Sequence, residues 1–467
     1  MGNQKIIFLA FAFNALAAAL SGCGGGEFKS KLVFTVPSDP NAGDSSPKAT
    51  PLKVGSECAS LGGAEWKNFD ASSLAKNTDG TINAPHILCS PFQIASFADR
   101  LNSEPDQATF LAIRSTHFIV NADLDFSLIY VAGEPEFTIG TAGRVYSGEL
   151  NGNGYSFLNF KLTRPTQDSV GLFYSLGNSS KISYLTLSGF DVEGANFVGA
   201  LAGTSTASVS KLSVLDSTIS GRTKVGGFFG TANGEILSSS INRVAVKGLM
   251  LVGGMVGQTY SIIIKESEVF GTEVTPLFSG NALSDFGGII GQMNSSQILD
   301  SRTAGNTIIG SDKILVQNVG GLAGRTLNGT NTFPKIQNSY SANLQILGSS
   351  NVGGLVGSAD SATTILSSFS ANDSNSTQYG YIAGGGTLIA SPTTASNLFY
   401  SDASSCGANI CQPALNLEEI AKPLEHFFDP NNLPFQATAE YGGWSNSVWA
   451  FHLNTALPTL ISIAGQE

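Results

Sequence analysis

Charge is scarce in this chain. Asp, Glu, Lys and Arg make up 13% of its 467 residues, and the net charge is −11. With no cluster of Lys and Arg, the chain lacks the electrostatic footprint of a nucleic-acid binder. Histidine is scarcer still. His86, His117, His426 and His452 are the whole set, and none stands in a His-Glu-x-x-His arrangement, which excludes the common zinc-peptidase motif. No Gly-x-Ser-x-Gly elbow and no phosphate-binding loop occur, and no cofactor is implied. Long apolar stripes at helical spacing are also missing, so repeats built of helix pairs are excluded.

What the chain has in excess is glycine, 54 residues of it, and much of it recurs in one motif. Val352–Gly357 reads VGGLVG. The same phrase appears as VGGLAG at Val319, FGGIIG at Phe286, VGGMVG at Val252, VGGFFG at Val225 and VGALAG at Val198, with weaker copies at Val170 and Tyr379. The spacings are 28, 27, 27, 34, 33, 33 and 27 residues. A second landmark follows the first seven motifs, by 11 to 13 residues in six and by 17 in the copy at Val319, which carries an insertion: Ile182, Val209, Ile236, Ile264, Ile298, Ile336 and Ile365. The longer repeats carry extra residues after Phe270, after Arg302 and within Arg325–Phe333. The next landmark stays in phase each time, as loops on a fixed scaffold require.

The segments between landmarks are short, alternating and rich in Ser, Thr, Val and Ile, which predicts strands. Several short strands per repeat, joined at glycine-bracketed bends, predict one coil of a parallel β-solenoid (β-helix), so the fold class is all-β. Coils stack at the ordinary strand spacing of about 4.8 Å. Stacking predicts an interior column from the apolar pairs Leu201/Ala202, Phe228/Phe229, Met255/Val256, Ile289/Ile290, Leu322/Ala323 and Leu355/Val356. It also predicts a serine ladder from Ser239, Ser267, Ser301, Ser339 and Ser368.

The glycine motif, followed by Ile336-Gln337-Asn338-Ser339-Tyr340-Ser341, resembles the GLUG repeat of bacterial surface adhesins and of the non-catalytic parts of IgA-cleaving metallopeptidases. The resemblance covers roughly residues 118 to 400. It implies a scaffold rather than an activity. Tyr146–Tyr155 is similar to the opening coil of such arrays, with Asn151 where Asp is usual.

Five segments are expected, the array among them. Residues 1–22 read as a signal peptide, with Lys5 ahead of the 15-residue apolar run Ile6–Leu20, too short for a membrane span. Leu20-Ser21-Gly22-Cys23 resembles a bacterial lipobox, which implies diacylglycerol on Cys23. Gly24 rather than Asp follows, which in that class favours the outer membrane or cell surface. Residues 23–57 form a Pro-, Gly- and Ser-rich tether with a reach of about 30 Å. Residues 58–117 form an N-terminal cap whose helix starts at Ser90-Pro91 and buries Ile94, Ala95, Phe97, Ala98 and Leu101. Residues 118–400 are the solenoid, and 401–467 a C-terminal cap. In that cap Asn416–Ile420 starts a short helix, and Trp444 and Trp449 cover the last coil. Cys58, Cys89, Cys406 and Cys411 suggest two bridges, with 58–89 and 406–411 favoured.

Chemistry is sparse. Asp123, Asp125 and Asn151 offer oxygen donors, though turn capping is their commoner use. Glu266 and Asp300 share one phase on adjacent coils, with Glu268 nearby, the placement used by β-helix polysaccharide hydrolases and lyases. Two solvated acids are the plainer reading. The expectation is therefore a non-catalytic surface scaffold, tied to the membrane by lipid and binding a surface glycan or a protein. The alternative is a polysaccharide hydrolase or lyase using Glu266 and Asp300. Replacing Cys23 by Ser should leave a product that no longer partitions into detergent; a membrane-bound, lipid-bearing C23S protein would overturn the lipobox reading.

Overall fold

The computed structural model describes residues 52–60, 80–131, 136–278, 283–311, 315–329, 333–373, 382–386, 395–401, 419–422, 444–452 and 456–463. Cys23, Cys406 and Cys411 lie outside the described residues, as do the signal peptide and most of the tether.

The chain forms the parallel β-solenoid that its repeat predicts. One coil runs through Asn196–Gly199, Ala202–Ser205, Ser208–Leu215 and Thr218–Ser220, and the next begins at Thr223–Gly226. Equivalent strands pair in parallel into three sheets of 24, eight and six strands among the described residues. Val198, Val225, Val252, Phe286, Val319 and Val352 lie rung on rung. So do the landmarks from Ile182 to Ile365. The apolar pairs are buried in full because the chain turns a corner there, so neighbouring residues both face inward. Each such Leu, Ile, Val or Phe contributes about 1.5–3 kcal/mol on leaving water.

Glycine does a different job in the motif from the one its bends suggest. None of the glycines at the second and sixth positions has positive φ. The left-handed residue is instead the one before the motif: Phe197, Lys224, Leu251, Asp285, Asn318 and Asn351 all have φ between 51° and 65°. The sixth-position glycines sit where two sheets close on each other. A Cβ on Gly230, Gly257, Gly291 or Gly357 would lie 2.4–2.5 Å from backbone carbon of the preceding coil. The requirement is space, not dihedral freedom.

The serine ladder runs through the structure as a chain of buried hydrogen bonds. Each Oγ donates to the carbonyl two residues back, as Ser267 does to Lys265 at 2.9 Å. Each also accepts an N–H from the preceding rung, that of Leu212 for Ser239 at 3.1 Å and that of a serine for the rest: Ser239 to Ser267 at 3.2 Å, Ser267 to Ser301 at 3.1 Å, Ser301 to Ser339 at 3.1 Å and Ser339 to Ser368 at 3.2 Å. Left-handed residues stand just before the ladder, namely Tyr184, Lys211, Ser238, Glu266, Asp300, Asn338 and Ser367, with φ of 47–53°. They bend the sheet at a corner, and the buried hydroxyl satisfies an N–H that the bend would leave unpaired.

At the N-terminal end, helix Pro91–Ser103 carries the Ser90 cap and packs Ile94, Phe97, Ala98 and Leu101 inward. Cys58 and Cys89 are bridged, with Cα atoms 5.4 Å apart. The strand stack already starts at His86–Leu88, which pairs with Phe118–Val120. Two expectations for the C-terminal part require correction. Glu419–Lys422 is not helical; it pairs in parallel with Leu398–Ser401 as a further rung, because the open edge of the stack offers unpaired backbone groups that outweigh helix propensity. The tryptophan segment does not cap the last coil. Trp449–His452 and Ala456–Leu460 form an antiparallel hairpin that folds back along the side of the stack.

The insertions resolve in part. Glu273–Pro276 and Ile308–Gly310 are wall strands in register with Ala245–Gly248 and Gln345–Leu347, and Ile309 and Leu283 are buried. The extra residues that follow, 279–282 and 312–314, lie outside the described residues; Phe278 and Leu315 next to them are exposed. The third insertion falls between strands Ala323–Leu327 and Lys335–Gln337, where Phe333 is exposed and residues 330–332 lie outside the described residues.

Deleting Val225–Leu251 removes one coil in phase and should leave a folded, strand-rich protein by circular dichroism. Gly257→Ala should lower stability by about 1–3 kcal/mol, because the methyl meets backbone that cannot yield; an unchanged melting temperature would refute the close-approach argument.

Candidate functional site

One residue beyond the serine ladder, each coil presents an outward side chain. The resulting column is Ser213, Ser240, Glu268, Arg302, Tyr340 and Phe369. Its character changes along the stack. The Ser213 and Ser240 hydroxyls share a 2.8 Å hydrogen bond. Glu268 then accepts from Arg302 Nε at 2.6 Å, and both are buried. Arg302 Nη1 donates to Tyr340 Oη at 3.0 Å and to the Pro458 carbonyl at 3.2 Å, and Tyr340 Oη donates to the same carbonyl at 2.5 Å. Pro458 belongs to the hairpin, so this network fastens the hairpin to the wall of the solenoid.

Aromatic packing completes the contact. Tyr340 stacks on Phe369 with ring centroids 4.7 Å apart, and Trp444 stacks on Phe369 at 5.7 Å. Trp449 lies 4.5 Å from Trp444 and 5.7 Å from Tyr340. Trp444 Nε1 donates to the Ser367 carbonyl at 3.0 Å. Burial works against the Arg302 charge, yet Tyr340 and Glu268 beside it hold its pKa above the ordinary arginine value. Burial pushes the Tyr340 hydroxyl up, against the pull of Arg302. A buried ion pair is expensive to desolvate, so its value here is positional: it defines where along the column the hairpin seats.

Glu266 and Asp300 stand at the left-handed corner beside this column. Glu266 pairs with Lys265 at 3.3 Å, accepts from Ser238 Oγ at 3.4 Å, and its carbonyl accepts from Ser462 Oγ of the hairpin at 3.4 Å. Asp300 accepts from Asn338 Nδ2 at 3.1 Å. Burial raises the Asp300 pKa; Asn338, Lys265 and the Trp449 indole oppose this and Glu266 adds to it. Asp300 therefore lies beside the hairpin's Trp449, and the Glu266 backbone touches its Ser462. Glu268, the third acid of the group, is committed to Arg302.

The other candidates are structural in their contacts. Asp123 accepts from the backbone of Lys53 at 2.7 Å and of Ser156 at 2.8 Å. Asp125 accepts from the backbone of Ser127 and from Asn159 Nδ2, each at 3.0 Å, and Asn151 from the Asn153 backbone at 2.9 Å. These are turn and strand caps. Among the described residues no group of His, Cys, Asp and Glu is placed to hold a metal. A cleft of about 1430 Å³ opens beside the Cys58–Cys89 bridge, lined by Phe92, Leu128, Phe137, Asp99, Asp125 and Arg164 among others; it gathers no convergent catalytic set. Arg302, Tyr340 and Pro458 escaped the sequence reading. The repeat phase one residue past the ladder carries their signal, since it places Glu268, Arg302 and Tyr340 in line.

No family model matches the chain. It is similar to Halomucin of Haloquadratum walsbyi, 29% identical over 131 residues, which is 27% of this chain and 1% of that protein. It is also similar to a provisionally named Gly-rich membrane protein of Evansella cellulosilytica, 29% identical over 147 residues, 31% of this chain and 16% of that one. The chain thus spans a small part of either relative's length. Among solved structures, a candidate immunoglobulin A1 protease from Bacteroides ovatus aligns over 83% of this chain and 96% of its own at 15% identity, with a TM-score of 0.42. The GLUG-repeat resemblance rests on the motif and its landmarks.

Arg302→Ala should cost about 3–5 kcal/mol, since it leaves the Glu268 carboxylate buried and unpaired. Chemical denaturation followed by tryptophan emission would measure this. Removing both charges, as Glu268→Gln with Arg302→Met, should recover most of the loss.

Proposed function

We propose that the protein is a non-catalytic interaction scaffold of the bacterial cell envelope or surface, held at the membrane by lipid on Cys23. The observation that carries this reading is the seating of the chain's own hairpin over the wall that bears Asp300, Glu268 and Arg302. The acids of that wall are engaged by Arg302, Lys265 and Asn338, which supports a structural use for them over a general acid and base pair. The weak similarity to a membrane protein is in keeping with an envelope location.

Recognition is assigned to the first two consecutive insertions, because loops on a rigid scaffold are the usual place for it. Phe278 and Leu315, 53% and 78% exposed, stand at their bases. A surface glycan or a protein ligand is the class of partner proposed. The loops to trim are 278–282 and 312–315, since cutting 273–279 or 305–311 would remove wall strands. Trimming both should abolish attachment of the purified protein to its glycan or protein target on an array while the melting temperature stays within a few degrees. Release of new chain ends from a polysaccharide, lost in Glu266→Gln, would overturn the non-catalytic reading.

A further inference from the structure

The hairpin segment Trp444–Ile463 carries no Asp, Glu, Lys or Arg, and His452 is its one titratable side chain. It lies against a wall that is charged. Four groups there form two ion pairs: Glu266 with Lys265 at 3.3 Å, and Glu268 with Arg302. Tyr340 is engaged by Arg302. Asp300 differs, because among the described residues no cation stands within ion-pair distance of it. From the preceding rung it faces Glu266 and Lys265, from the following rung Asn338, and from the hairpin Trp449. His452 hydrogen-bonds Thr459 within the hairpin at 2.8 Å.

Asn338 donates its Nδ2 to Asp300 Oδ1 at 3.1 Å, while its own Oδ1 is buried without a hydrogen-bond partner. Trp449 Nε1 is buried beside the same carboxyl, also without a well-formed hydrogen bond. A carboxylate has no hydrogen to offer the orphaned amide oxygen. A carboxylic acid has one, and acid and primary amide then form a closed pair of two hydrogen bonds, one in each direction. The proton thus removes a half-buried charge from beside an uncharged cover and satisfies an acceptor that is otherwise unpaired.

We propose that seating of the C-terminal hairpin is coupled to proton uptake by Asp300, which as a carboxylic acid pairs reciprocally with Asn338, so that the hairpin holds tightly at mildly acidic pH and loosens as pH rises. The sign follows from linkage. The seated state binds the proton more strongly than the open state, so seating is favoured below the ordinary carboxylate range and weakens as pH rises through the raised value. One proton can change the seating constant by at most about tenfold per pH unit.

The test uses the full chain with Trp66 replaced by Phe, so that Trp444 and Trp449 alone report on the hairpin. The urea midpoint of their emission shift is measured between about pH 4.5 and about pH 7.5, while circular dichroism follows the strand stack. The parent protein should release its hairpin at lower urea as pH rises. Asp300→Asn, an uncharged analogue that can form the same reciprocal pair, should stay at the acid-side midpoint throughout. Asp300→Ala, uncharged but unable to pair, should be equally flat and lower. A parent midpoint that does not move with pH, or a pH dependence that survives unchanged in D300N and so belongs to His452 or another group, would overturn the proposal. If D300N does not fold, a pH dependence that persists in D300A overturns it equally.

Discussion

The whole structure depends on how closely two sheets approach at the glycine motif. Where Gly230, Gly257, Gly291 and Gly357 stand, a methyl group would sit 2.4–2.5 Å from the backbone of the coil before. That contact admits no side chain, and it recurs once per coil. It holds each rung at one distance and one phase relative to the last, and the landmarks, the serine ladder and the interior columns then fall into line. Coils can accept insertions between strands because the insertions do not interrupt this motif.

A stack locked in this way repeats its outer columns as faithfully as its inner ones, and the side wall draws its chemistry from that. Five positions one step past the serine ladder read Ser240, Glu268, Arg302, Tyr340 and Phe369. In sequence they are 28 to 38 residues apart; in space they are neighbours. The charged pair, the phenol and the aromatic ring make a graded surface, and the hairpin fits its polar carbonyl to one end and its tryptophans to the other. An isolated two-stranded hairpin is marginal in water. This one is stabilised by the wall it covers, and the wall's buried charges are tolerable only because Arg302, Tyr340 and Pro458 satisfy one another.

Much of this was legible from single residues. The motif starts and the aliphatic landmarks are rung partners throughout, and the helix start at Ser90-Pro91 follows from local capping chemistry. Glu266 and Asp300 do share a column, as their common phase implied. Their environment was not legible, because what stands beside them comes from Trp449 and Ser462, more than 140 residues further on. Glu419 and Ile420, expected in the helix that Asn416 starts, are strand for a related reason: the acids and the cap favour a helix locally, and only the open edge of the stack shows why a strand forms.

By itself the sequence determined the period, the strand class, the in-phase columns and the points between strands where extra residues are inserted. These follow from a repeat whose every copy must meet its neighbour in the same way, so the information is local and written many times. Tertiary structure alone decided why the glycines are there, where the tryptophan hairpin goes, and that the acids of one wall lie beside it. Those outcomes rest on contacts made once, between segments far apart in the chain, and a contact made once leaves no period to read.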